Sequence, residues 1–140
     1  MTMLGSGSSV LILDDNDFDL DLARVCFEKA GYENDLMLIN DPKTLFEYMG
    51  MVEKGIKPFP EVLILDINMP AMDGFDVLRD IRKKPSFQNF PVAIFLTHSS
   101  SFEDQETAKA LNCIAFWTKP QSIQGFVDLY SSLSNLIKDK

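Results

Sequence analysis

Residues 62–74 read VLILDINMPAMDG. The four apolar residues Val62 to Leu65 run without a polar interruption into Asp66, and the turn-forming residues Pro70, Asp73 and Gly74 follow. A strand with one face in water alternates apolar and polar residues, whereas a strand covered on both faces is apolar throughout. The stretch therefore predicts a buried parallel strand that ends on a carboxylate and opens into a loop. Three further runs have the same character: Val10 to Leu13, Val92 to Leu96, and Ala115 to Thr118. A weaker fifth, Asp35 to Ile39, alternates and suits an edge of the sheet.

Helical patterns separate the strands. Phe18, Leu22, Val25, Cys26 and Ala30 recur at helix spacing and stop at Gly31, a residue suited to the left-handed turn that follows a helix. Asp41 and Pro42 supply an N-cap and a first-turn residue for a second helix, whose inner face is Leu45, Tyr48, Met49 and Val52. Phe75, Leu78 and Ile81 mark a third helix that ends before Pro85, and residues Glu103 to Leu111 a fourth. A fifth carries the stripe Ile123, Phe126, Val127, Tyr130, Leu133, Ser134 and Ile137. Strand and helix alternate five times, with crossovers long enough for parallel pairing. The expected architecture is α/β, a doubly wound (βα)5 sandwich on a five-stranded parallel sheet.

A chain of 140 residues with 46% hydrophobic and 24% charged residues fits one globular unit. Residues 1–8, which hold most of the GSGSS stretch at 5–9, are read as a flexible tail or an expression remnant, and residues 9–140 as the domain. The net charge of −8 disfavours binding to nucleic acid phosphates. No apolar run is long enough for a membrane span and no signal-peptide pattern opens the chain, so the cytosol is the expected compartment. Cys26 and Cys113 lack the spacing of a zinc site or a redox pair and read as packed thiols.

In an open parallel sheet, reactive groups gather where the strands end at their carboxyl side. Those ends carry Asp14 and Asp15, Asp66, Thr97 and Lys119. Clustered carboxylates repel one another, so a hard divalent cation is expected among them, with Mg²⁺ the best candidate. Lys119 supplies a positive charge suited to a phosphoryl oxygen, and Asp66 is left free to act as a nucleophile. Each residue alone also has an ordinary reading: Asp14 to Asp17 as helix caps, Asp66 to Gly74 as a turn, Lys119 as a solvated loop charge, Phe116 and Trp117 as sheet packing.

Taken together, LILDDN (11–16), VLILDINMPAMDG (62–74), AIFLTHSS (93–100) and FWTKP (116–120) resemble the receiver domain of response regulators, with the likeness covering roughly residues 10–138. The resemblance implies the flavodoxin-like strand order 2-1-3-4-5, for which the chemotaxis member of the family is a standing example. It implies that Asp66 is the phosphoacceptor, that Asp15 and Asp66 bind Mg²⁺ directly, that Asp14 does so largely through water, and that Asn68 adds its backbone carbonyl. Thr97 would turn its hydroxyl to the phosphoryl group, Phe116 would swing inward behind it, and Lys119 would contact a phosphoryl oxygen, with a cis peptide before Pro120. The implied donor is a sensor histidine kinase or phosphotransfer protein docking near the first helix. The implied output is a contact of the fourth helix, fifth strand and fifth helix with an unidentified downstream protein, since the chain ends directly after the fifth helix.

The sequence departs from the family at two positions. His98, the only histidine, stands where a small residue is usual, and either crowds Asp66 or faces solvent. Phe116 stands where Tyr is common. Asn68 and Ser99 flank the site at positions suited to orienting water and so to setting the phosphoryl lifetime. The connections at 54–60 and 85–91 also resemble those of single-domain receivers that accompany phytochrome-type kinases. Rival readings are a phosphorylation-independent interaction module of the same fold, for which His98 is the supporting feature, and an aspartyl-phosphate phosphohydrolase. The latter needs an acid or base at position 68, which is Asn. A flavin-binding protein of similar topology is a weaker reading still, as no Ser/Thr-rich phosphate loop follows the first strand here.

Overall fold

The computed structural model describes residues 9–89 and 91–138. The reading of residues 1–8 as a tail lies outside them. Five parallel strands, β1 (Val10–Leu13), β2 (Leu36–Ile39), β3 (Val62–Leu65), β4 (Val92–Thr97) and β5 (Ala115–Thr118), form one sheet in the order β2-β1-β3-β4-β5. This is the strand order implied by the resemblance, with β2 at an edge. The helices are α1 (Asp17–Lys29), α2 (Pro42–Glu53), α3 (Gly74–Arg82), α4 (Phe102–Ala110), α5 (Ile123–Ser131) and α6 (Leu133–Lys138), with a 3-10 turn at Pro85–Phe87.

Strand residues alternate between two apolar cores, as the pleat requires. Leu11, Leu13, Leu63, Leu65, Ala93 and Phe95 pack with α2 and α3, joined by Ala108 of α4. Val10, Ile12, Val62, Ile64, Ile94 and Leu96 pack with Leu20, Ala23, Cys26 and Phe27 of α1 and with α5 and α6. The central strands β1, β3 and β4 are buried along their whole length, which accounts for their unbroken apolar character.

The register places the strand ends. Leu13 of β1 pairs with Leu65 of β3, so Asp14 and Asp66, the next residue of each strand, finish level with each other. Backbone bonds carry the ladder into the loops: the Asp66 N–H donates to the Leu13 carbonyl at 2.9 Å, that of Asp14 to Ile39 at 3.1 Å, and that of Lys119 to Thr97 at 2.7 Å.

Two helices differ from the sequence reading. On α1, Phe18 and Val25 are exposed, and the buried face is Leu20, Ala23, Cys26 and Phe27. Both stripes have helical spacing, and the helix buries the one with Ala23 at its middle, which packs between the sheet and α5. The fifth helix is two segments, α5 and α6, separated at Ser132. The Tyr32 hydroxyl, from the turn after α1, donates to the Tyr130 carbonyl at 2.6 Å and accepts the Ser134 N–H at 3.1 Å across this break. Ile123 is exposed, while Phe126, Tyr130, Leu133 and Ile137 are buried as the stripe predicts.

Candidate functional site

Local capping brings the loops of the site to a common edge. Asn16 caps α1 by accepting the Asp19 N–H, Asp73 caps α3 through Asp76, and Ser101 caps α4 through Asp104. Each helix thereby starts close to the carboxyl end of the strand before it. Gly74 is required at the start of α3 because its backbone lies against the end of β3: a Cβ there would stand 2.2 Å from the Asp66 carbonyl oxygen.

At this edge the Lys119 ammonium sits among carboxylates. Its Nζ is 2.8 Å from Asp14 Oδ2, 2.8 Å from Asp19 Oδ2 and 3.1 Å from Asp66 Oδ2. Asp14, Asp66 and Lys119 are buried, at 4%, 7% and 5% exposure. The second oxygen of each strand-end carboxylate turns to the backbone two residues on, Asp14 Oδ1 accepting the Asn16 N–H at 2.9 Å and Asp66 Oδ1 the Asn68 N–H at 3.4 Å. Such Asx turns fix the carboxylates without external partners.

The electrostatics are those of a crowded anionic cluster with one cation. Burial pushes the Asp14 carboxyl up from 3.8 to about 6, against the hydrogen bonds from Lys119 and Asn16. For Lys119, burial opposes the charge, but the hydrogen bonds to Asp14 and Asp19 and the charges of Asp14 and Asp66 outweigh it and hold the ammonium above its ordinary value. The cation expected from carboxylate repulsion is thus in part the protein's own.

Asp14, Asp15 and Asp66 each offer an oxygen, and the three oxygens lie within 4.8 Å of one another. Asp15 is exposed, so the trio opens to solvent. A few carboxylate oxygens with open positions for water fit a hard divalent ion.

The remaining residues of the sequence reading divide. Thr97 is fully buried at the end of β4, its Oγ1 accepting the Ser99 N–H at 3.3 Å. Phe116 is half-buried and packs against the core on the α2 and α3 side, which is also the side of Phe95 and, by alternation, of Thr97. The side chains of Asn68 and His98 are exposed. His98 lines a shallow groove with Phe18, Asp19, Leu22, Pro120 and Ile123. The Ser99 hydroxyl bonds to the Asp104 carboxylate at the start of α4. Asp19 is the member that the sequence reading missed. An acid in the first turn of a helix has a local explanation in the helix dipole, and the available signal was its position one turn beyond Asp15 on the helix end that meets the strand termini.

A family model described as the response regulator receiver domain matches residues 10–130. The probable methanogenesis regulatory protein FilR2 of Methanothrix harundinacea is 28% identical over 82% of this chain and 74% of its own length. Response regulator Rcp1 of Synechocystis is 23% identical over 91% of this chain and 84% of its own. Among solved structures, the Mn²⁺-bound form of Rcp1 covers 89% of this chain and 90% of that one at 21% identity, with a TM-score of 0.77. The phosphorylated cyanobacterial phytochrome response regulator RcpA covers 93% of each chain at 18% identity, with a TM-score of 0.81. At such identities the structural likeness speaks for the fold, and the family match speaks for the kind of protein. The chain belongs to the response regulator receiver domains, the switch modules of two-component signalling.

Proposed function

We propose that residues 9–140 act as a phosphoacceptor in a two-component or phosphorelay pathway, with Asp66 taking the phosphoryl group from a phosphohistidine. The observation that carries this reading is the meeting of Asp14 and Asp66, at the level ends of β1 and β3, with Lys119 from just beyond β5, and with Asp15 beside them. An Asp66 oxygen attacks phosphorus, the P–N bond breaks, and its electron pair leaves with the imidazole, which takes a proton from solvent. The product is an acyl phosphate, a mixed anhydride. Asp14, Asp15 and Asp66, with the Asn68 backbone carbonyl, would hold Mg²⁺, which supplies positive charge against the anionic transferring group.

The chain's own groups do the rest. Lys119 donates to a phosphoryl oxygen, Thr97 turns its hydroxyl toward another, and Phe116 follows into the space behind Thr97. Thr97 and Phe116 share one face of the sheet, which supports their acting together. Of α4, only Ala108 is buried, so this helix is held by few apolar contacts and is suited to shift when Thr97 and Phe116 rearrange. The surface of α4, β5 and α5 then serves as the output to a downstream protein. Sensor histidine kinases and phosphotransfer proteins are the donor class.

Incubation with a small phosphoramidate and Mg²⁺, followed by intact-mass measurement, tests the reading. Wild type should gain a phosphate-sized mass, and Asp66→Asn or a chelator should prevent it. A gain that survives Asp66→Asn, or none in wild type, removes the assignment.

A further inference from the structure

An ammonium has three N–H donors, and Lys119 has three carboxylate partners, Asp14, Asp19 and Asp66. Asp14 and Asp66 are strand-end carboxylates of the phosphoryl site, whereas Asp19 comes from α1. Its contact with Nζ is 2.8 Å, as short as that of Asp14 and shorter than that of Asp66 at 3.1 Å. The Asp19 side chain is 14% exposed and that of Lys119 only 2%, so solvent screens the pair weakly. Helix-dipole stabilisation does not account for this placement. Asp17, in the same turn, is exposed and accepts from the Asn40 side chain, while Asp19 is turned inward onto the ammonium.

We infer that Asp19 is a positioning residue that holds Lys119 back from a phosphoryl group arriving at Asp66, so that loading includes passage of the ammonium from Asp19 to a phosphoryl oxygen. The inference rests on the reading under Proposed function. A phosphoryl oxygen can reach Nζ only by displacing one of the three partners. Asp66 is itself transformed in the reaction and Asp14 is shared with the divalent ion, so Asp19 is the partner whose hold on Nζ persists and competes with the phosphoryl oxygen. Its negative charge also opposes the approach of a phosphoryl dianion, and both effects slow loading.

The test compares wild type, Asp19→Asn, Asp19→Ser and Asp19→Glu. The Asp19 backbone N–H, which bonds to the cap Asn16, is present in all of them, and thermal melting checks their folding. Loading by a small phosphoramidate with Mg²⁺, followed by intact mass, should be about tenfold faster in the two uncharged variants, because a charge-assisted hydrogen bond has become a neutral one or none. Asp19→Glu, which restores the charge, should load within about threefold of wild type. The ¹⁵Nζ resonance of Lys119, assigned by its loss in Lys119→Gln and recorded without donor or metal, should move in Asp19→Asn and Asp19→Ser. Uncharged variants that load at the wild-type rate overturn the inference. So does faster loading with an unmoved Lys119 resonance, or an Asp19→Glu that loads as fast as Asp19→Asn. A wild-type chain that never gains the mass removes the phosphoacceptor reading itself and the role of Asp19 with it.

Discussion

Replacing Gly74 with alanine would place a methyl carbon 2.2 Å from the Asp66 carbonyl oxygen, 3.0 Å from its carbonyl carbon and 3.1 Å from the Ile67 Cα. All three are backbone atoms, so no rotamer change relieves the overlap. Ordinary contact requires the start of α3 and the end of β3 to separate by about 1 Å. That movement stretches the bond from the Gly74 N–H to the Ile67 carbonyl, now 2.9 Å. It also loosens Phe75, Val77 and Leu78, which are buried immediately beyond. Overpacking in a filled core costs about 1–3 kcal/mol, and weakening a buried hydrogen bond adds about 1 kcal/mol. The expected loss is about 3 kcal/mol, or roughly 10 °C in Tm for a chain of this size. Urea unfolding followed by the fluorescence of Trp117, the only tryptophan, measures it directly. A loss below about 1 kcal/mol would refute the argument, because the overlap leaves no cheaper way out.

Two further outcomes follow from other parts of the molecule. Tyr32→Phe removes the hydroxyl that bridges Tyr130 and Ser134 at the helix break; it should cost about 1–2 kcal/mol in urea unfolding and speed hydrogen exchange of the Ser134 amide, and a loss under about 0.5 kcal/mol would count against the bridge. For Asp14, burial raises the folded pKa from 3.8 to about 6. In that window the folded chain keeps a proton the unfolded chain has released, so its contribution to stability falls as pH rises from about 4 to 6 and is level above. Without divalent metal, the stability difference between wild type and Asp14→Asn should therefore shift by about 3 kcal/mol toward the variant between pH 4 and pH 7; a flat difference would show that Lys119 and Asn16 offset the burial.

How much was readable in the sequence depended on whether the cause was local. The unbroken runs of β1 and β3 are apolar because both faces are covered, so residue type alone marks them. Asp14, Asp66, Thr97 and Lys119 then follow from the rule that strand ends carry the chemistry. The buried face of α1 was not legible, since two apolar stripes compete along it and the choice is made by α5, distant in sequence. The break at Ser132 has no glycine or proline to announce it; its partner Tyr32 lies 98 residues before Tyr130. Asp19 escaped notice for a related reason: a helix N-terminus already explains an acid, and only the folded chain turns it onto Lys119. His98 was ambiguous because alternation at the end of β4 decides its side, and the structure exposes it in the groove that Phe18, Asp19 and Ile123 also line.

The level ends of β1 and β3 are set by amide-to-carbonyl pairing, which does not depend on the identity of any side chain. Apolar residues beneath can therefore be exchanged for others of similar bulk while the two carboxylates keep their separation. This tolerance of drift is in keeping with a fold shared with RcpA at a TM-score of 0.81 when only 18% of residues coincide. A single residue inserted within either strand is another matter: it would turn every later side chain to the opposite face and carry the strand-end aspartate away from its neighbours.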